Sequence, residues 1–275
     1  VRRLAFFLWL ASFACAAAEK TPVFRGVWLE RETRTSPRPL ALYWLEADLN
    51  EPGVQFEVSP PDPVPGGEVT ANYPQELMPK LGWQAVMNGD AFDVRGPRAG
   101  SKFPVKGDPL NLTGAAVHEG RYYSRPQHGF GVFYLLQNGR MGASYPPLPR
   151  GIREAVGGFR VVLHSGEPGP ALAKSLHPRS VVGCNSQKNR LYWLVVDGRQ
   201  PGYSEGATEQ ELALWMKQRG ATDALSLDGG GSSLLAIMEN GKPRILNRPV
   251  GEYDRPGSVR AVGNCLGIRA RALDH

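Results

Sequence analysis

Cysteine is scarce in this chain: the three present are Cys15, Cys184 and Cys265. No Cys-x-x-Cys pair, His-Glu-x-x-His motif or EF-hand spacing occurs, so the usual sequence signatures of a bound metal are missing. Long apolar runs are missing too. The stretch from Leu4 to Phe13 is too short to span a bilayer. Nor is there a large excess of one charge. The formal net charge is +6, and Arg2 and Arg3 fall in a segment expected to be removed. With no basic stripe and no recognition motif, that balance argues against nucleic-acid binding. A modest positive field does suit an anionic substrate. Internal repeats, low-complexity tracts and clear linkers are absent as well, which points to one domain.

What is present in quantity is glycine (33) and proline (24), so a loop-rich surface is expected. The 275 residues are 41% apolar and 21% charged, ordinary for a globular protein. Residues 1–18 have the pattern of a secretory signal peptide. Arg2-Arg3 forms the basic start, Leu4 to Phe13 the apolar run, and Ala14-Cys15-Ala16 or Ala16-Ala17-Ala18 the cleavage site. The mature part, 19–275, is then expected in the periplasm or outside the cell. Ser12-Phe13-Ala14 is a poor context for lipid attachment at Cys15. Cys184 and Cys265 both lie in apolar, strand-like runs, where a disulfide and two buried thiols are equally compatible with the sequence.

The most informative stretch is 191–233. Leu191 to Val196 is an apolar run of β-formers ending at Asp197-Gly198. Thr208 with Glu211 predicts a capping box, and Leu212, Trp215 and Met216 recur at helical spacing before Gly220. Ala224 to Leu227 is a second short apolar run, ending at Asp228 and followed by Gly229, Gly230, Gly231, Ser232 and Ser233. Strand, helix and strand at this length suggest a βαβ unit. Parallel strands would bring Asp197 and Asp228 side by side on one sheet edge. Three successive glycines let backbone N–H groups approach an anion, but the Lys-Ser/Thr of a nucleotide P-loop does not follow. Elsewhere, Glu51-Pro52-Gly53 predicts a hairpin between Leu40–Leu49 and Val54–Val58. Asn138-Gly139 and Asn240-Gly241 predict two more. Ala155 to Leu163 reads as glycine-broken and then strand-like, Pro74 to Leu81 as a short helix, and 94–112 as a long loop of the lid, binding or disordered type. The expected fold is α+β: a single domain with mixed β-sheets, short helices and long Gly/Pro-rich loops.

Several segments in order resemble the phosphodiester glycosidase family: LALYWLEADLNEPGVQFEV from Leu40, AVMNGDAFD, HPRSVVG, VVDGRQPGYSEGAT, LSLDGGGSS, and the stretches at Asn247–Pro249 and Arg255 to Gly267. The second departs from the family's pattern, with Asp90 where glycine is usual. The resemblance implies an enzyme that hydrolyses the sugar C1–O–phosphate bond of a diester such as an N-acetylglucosamine 1-phosphodiester. The products would be free sugar and a phosphomonoester.

Chemistry at a sugar C1 wants a carboxylate beneath a cationic transition state and a second acid or base nearby. Asp228 is the first candidate and Asp197 the second, with His177 as a donor to the leaving oxygen. Arg179 and Arg199 suit a phosphate clamp. Gly229 to Ser233 would add amide and hydroxyl donors, and Asn88 a contact to a sugar hydroxyl. Asp93 and Arg248 are further substrate-binding candidates, and Arg255 a weaker one. Asp90, Asp93, Asp197 and Asp228 offer oxygens of the kind Ca²⁺ or Mg²⁺ takes, but no metal ligand is assigned and no cofactor is expected. The rival reading from another class is a non-catalytic binding module for phosphorylated cell-envelope glycans. A phosphodiesterase releasing sugar phosphate is the third.

Overall fold

The computed structural model describes residues 19–274; the expected signal peptide at 1–18 lies outside them. The fold is β-rich, which corrects the α+β expectation: among the described residues strands hold 43% and helix only 11%. The reason lies in the lengths of the apolar runs. Most are four to nine residues of β-formers closed by Gly, Pro or Asn-Gly, too short for a helix to bury a face.

The largest sheet has eight strands in the order Thr21–Phe24, Val27–Arg34, Leu40–Asp48, Arg190–Val196, Arg179–Asn185, Asp223–Ser226, Arg160–His164, Glu167–Pro168. Two five-stranded sheets and one three-stranded sheet accompany it, and every strand-to-strand pairing among the described residues is antiparallel. One face of the eight-stranded sheet packs on the main core, where Phe56 and Phe133 meet edge to face at 5.7 Å. The opposite face is covered by the helix Glu209–Gln218 through Leu212, Ala213, Trp215 and Met216. That helix starts at the expected capping box: Thr208 accepts from the Glu211 N–H, and the Glu211 carboxylate accepts from the Thr208 N–H at 2.9 Å. The other α-helix is Pro74–Leu81.

Three local expectations change. Leu40–Asp48 does not form a hairpin with Gln55–Val58. Its two edges are taken by Val27–Arg34 and Arg190–Val196, so the chain turns at Glu51-Pro52-Gly53 and crosses to another sheet, where Gln55–Val58 pairs with Cys265–Arg269. The run 155–163 is two strands, Ile152–Gly158 and Arg160–His164, in different sheets. The βαβ unit is a crossover over an intervening strand. Arg190–Val196 and Asp223–Ser226 are both antiparallel to Arg179–Asn185, which lies between them. They therefore run parallel without touching. Their C-terminal ends share one edge, where Arg179 begins the strand that separates them. The hairpins at Asn138-Gly139 and Asn240-Gly241 form as the sequence predicts. Cys184 and Cys265 are both free and buried. No helix among the described residues is long and apolar enough to cross a membrane.

Candidate active site

Asn88 and Asp197 build the frame of the site. Asn88 ends the strand Ala85–Asn88 and is fully buried. Its Nδ2 donates to the Asp228 carbonyl at 2.7 Å and to the Gly89 carbonyl at 3.4 Å. Its Oδ1 accepts from Ser180 Oγ at 2.7 Å and from the Leu234 N–H at 3.2 Å. An amide side chain has no more to offer, so Asn88 fastens both ends of the 229–233 loop rather than reaching into solvent. Asp197 is 1% exposed. Its Oδ1 accepts from Asn247 Nδ2 at 2.9 Å, and its Oδ2 from the Tyr203 hydroxyl at 3.0 Å and the Arg248 N–H at 2.8 Å. Asn247 passes this order on: its Nδ2 donates to the Ser233 carbonyl at 3.1 Å and its Oδ1 accepts from the Leu235 N–H at 2.9 Å. Burial raises Asp197 to about 6 against the pull of these donors.

Between those fastenings, the glycines make room for guanidinium groups. A Cβ on Gly231 would lie 2.5 Å from Arg260 Nη2, and one on Gly230, whose φ is +59°, 3.1 Å from Arg199 Nη2. A Cβ on Gly229 would lie 2.7 Å from the Pro178 carbonyl. The loop's own amides are largely used within the protein. Gly230 N–H donates to Pro178, Ser232 N–H to Gly229 and Ser233 N–H to Gly230. The close approach that the sequence suggested is therefore made by two arginines, at this loop, beside Asp228.

Asp228 is partly exposed, and it faces both lobes of a cleft. The smaller lobe, of about 250 Å³, is lined by Phe159, His177, Arg179, Arg199, Gly229–Gly231 and Arg260. The larger, of about 910 Å³, runs past Asp93 and Arg95 to Lys102, Phe103 and Asp254, and shares Arg199, Asp228 and Arg260 with the first. Desolvation raises the Asp228 carboxyl to about 6, against Ser232, the Arg260 charge, the Gly229 N–H and the Arg199 charge. The carboxylate is thus ionised at neutral pH, though less readily than a free aspartate. His177 Nδ1 faces Arg199 Nη2 at 3.3 Å. Burial, then the charges of Arg179 and Arg199, lower its pKa, so the ring is neutral. An arginine can only donate, so Nδ1 accepts and the ring proton sits on Nε2. Arg179 is buried; its Nε donates to the Ala207 carbonyl and its Nη2 to the Ser175 carbonyl, both at 3.0 Å.

Of the residues singled out from sequence, the cleft brings together Asp228, His177, Arg179, Arg199, Asp93 and Gly229–Gly231. Ser232 faces Asp228 from the loop. Asn88, Asp197 and Ser233 stand behind it as buried supports. Arg248 is exposed over the Tyr203 ring and lines neither lobe. Arg255 is exposed and pairs with Glu252. Sequence reasoning missed Arg260, Asp254 and Phe103. Arg260 lies in a stretch that reads as loop, and nothing in its spacing separates it from Arg248 or Arg255. The usable signal was Gly231, whose missing side chain leaves room for that guanidinium. The four carboxylates considered for a cation are not gathered around one point. Asp197 is saturated by donors, Asp90 accepts from the Ala91 and Gly114 amides, and no metal-binding cluster of three or more His, Cys, Asp or Glu occurs among the described residues.

The family profile described as phosphodiester glycosidase matches residues 82–269. The fold resembles the catalytic domain of zebrafish N-acetylglucosamine-1-phosphodiester alpha-N-acetylglucosaminidase, auto-inhibited by its pro-peptide, with a TM-score of 0.64 at 18% identity over 91% of this chain and 85% of that one. It also resembles a hypothetical protein from Synechocystis, with a TM-score of 0.59 at 14% identity over 90% of this chain and 62% of that one. No curated protein sequence matches. The profile covers well over half of the chain, including the frame, the glycine loop, Arg199 and Arg260: this protein belongs to the phosphodiester glycosidase family, enzymes acting on phosphodiester-linked sugars.

Proposed function

We propose that the protein hydrolyses the C1–O bond of a glycosyl phosphodiester of the N-acetylglucosamine 1-phosphate type. Asp228 serves as nucleophile or general base, and Arg199 and Arg260 hold the departing phosphate. The observation that carries this reading is a carboxylate and two guanidiniums meeting where the two lobes of the cleft join. An ionised carboxylate stabilises positive charge developing at C1. A phosphomonoester is a better leaving group than a sugar hydroxyl, so charge neutralisation matters more than proton donation. That fits a neutral His177 fixed by Arg199 better than a strong acid at the same place. The sugar then occupies one lobe and the group on the far side of the phosphate the other. Asn88 and Asp197 act as positioning residues through the loop backbone. The signal-like segment 1–18 suggests that the substrate lies outside the cytoplasm.

The bond cut is read by isotope. The methyl diester of N-acetylglucosamine 1-phosphate is incubated with the enzyme in ¹⁸O-water and the phosphate product weighed. Free sugar with unlabelled methyl phosphate is expected. Labelled methyl phosphate would mean attack at phosphorus, and sugar 1-phosphate with methanol would mean the other ester bond; either result removes Asp228 from its role at C1.

A further inference from the structure

Arg199 already has an anion beside it. Asp254 Oδ1 lies 2.8 Å from its Nη1, and that carboxylate lines the larger lobe together with Asp228 and Arg260. Asp254 is carried on the turn 251–257. The base of the turn is fixed: Gly251 N–H donates to the Ser258 carbonyl and Gly257 N–H to the Pro249 carbonyl. Its tip leans across the cleft, where the Tyr253 ring stacks on Phe103 with centroids 4.0 Å apart. Tyr253 and Asp254 have φ of +48° and +54°. Two successive side-chain-bearing residues in the left-handed region are unfavourable alone. The stack and the ion pair are the side-chain contacts that offset this. Tyr253 is 79% exposed, so its stack contributes little to the main core.

We propose that Asp254 is a specificity residue that makes the cleft favour singly charged phosphodiesters over doubly charged phosphomonoesters. This rests on the reading of Arg199 as a phosphate ligand. A fixed negative charge repels a dianion about twice as strongly as a monoanion at the same distance. A diester carries one negative charge; a monoester carries two once its second proton is lost, above a pH of about 6. Asp254 thus acts most strongly on the phosphate that the reaction releases and speeds its departure. The pair is exposed, with Arg199 35% and Asp254 56% accessible, so the effect is moderate and falls with salt.

The test measures binding, not turnover, and so stands apart from the bond-cleavage result. Dimethyl phosphate (one charge) and methyl phosphate (two charges at pH 8) are titrated by ³¹P NMR at low ionic strength. The proteins compared are wild type, Asp254→Asn and Tyr253→Ala. Asp254→Asn is expected to tighten methyl phosphate about five-fold and dimethyl phosphate about two-fold, and 0.5 M salt should shrink the difference. Tyr253→Ala, which keeps the charge but loses the stack, is expected to shift both affinities the same way by less. Equal tightening of the two ligands, or no change in either, overturns the proposal.

Discussion

Asp90 is a carboxylate with no cation in contact among the described residues. It is 1% exposed, and its oxygens accept only from the backbone N–H groups of Ala91 and Gly114. Two glycines make its place: a Cβ on Gly157 would lie 2.6 Å from Asp90 Oδ2 and one on Gly114 3.1 Å. Burial raises Asp90 to about 7 against those two amides, and the nearby Asp228 charge adds to the rise. The sign of the linkage follows. A folded-state pKa above the unfolded one gives stability that is complete below pH about 4 and lost as pH rises towards about 7. The loss amounts to a few kcal/mol at about 1.4 kcal/mol per unit. Urea unfolding between pH 4.5 and 8 should therefore show wild type weakening across this window, and Asp90→Asn should flatten the slope. Equal slopes would show that Asp90 ionises as easily folded as unfolded. The sequence marks Asp90 as a departure from the family's glycine. It does not show that Gly114 and Gly157, distant in the chain, leave the space, since that is set by how two sheets meet.

At the scale of elements, the loop 229–233 is fastened at both ends and hollow in the middle. Asn88 and Asn247 hold the ends, and the glycines admit Arg199 and Arg260. Gly231→Ala is the selective probe. Gly231 has no left-handed φ, and its Cβ would press first on the Arg260 guanidinium, at 2.5 Å from Nη2, and then on the Gly251 carbonyl at 3.0 Å. Stability should fall by about 1 kcal/mol, while kcat/KM falls by about 10²-fold as the guanidinium is displaced. Unchanged kcat/KM would show that the position of Arg260 does not matter. Local chemistry was legible in this part of the chain: the Thr208–Glu211 capping box, two Asn-Gly hairpins, and the acid before the glycines follow from neighbours in sequence. The hairpin expected at Glu51-Pro52-Gly53 was not, because one edge of Leu40–Asp48 is taken by Val27–Arg34 just upstream and the other by Arg190–Val196, far away in the chain. Arg260 was hidden for the same reason.

For the molecule as a whole, antiparallel pairing explains why two strands that look like a βαβ unit end at one edge without touching. The strand Arg179–Asn185 is inserted between them. That insertion places Asp197 and Asp228 a strand apart, with one supporting the frame and the other open to the cleft. The central claim is that Asp228 is the reacting carboxylate. Its direct test is kcat/KM on the methyl diester of N-acetylglucosamine 1-phosphate from pH 5 to pH 8, for wild type and Asp228→Asn. Circular dichroism and dimethyl phosphate binding serve as checks on folding. Asp228 is raised to about 6 by burial, so wild type should lose rate as pH falls through about 6 and level off above it. At pH 8 the folded variant should be slower by about 10³-fold. A folded Asp228→Asn variant with near wild-type turnover, or a wild-type rate that does not fall below pH 6, would contradict that claim.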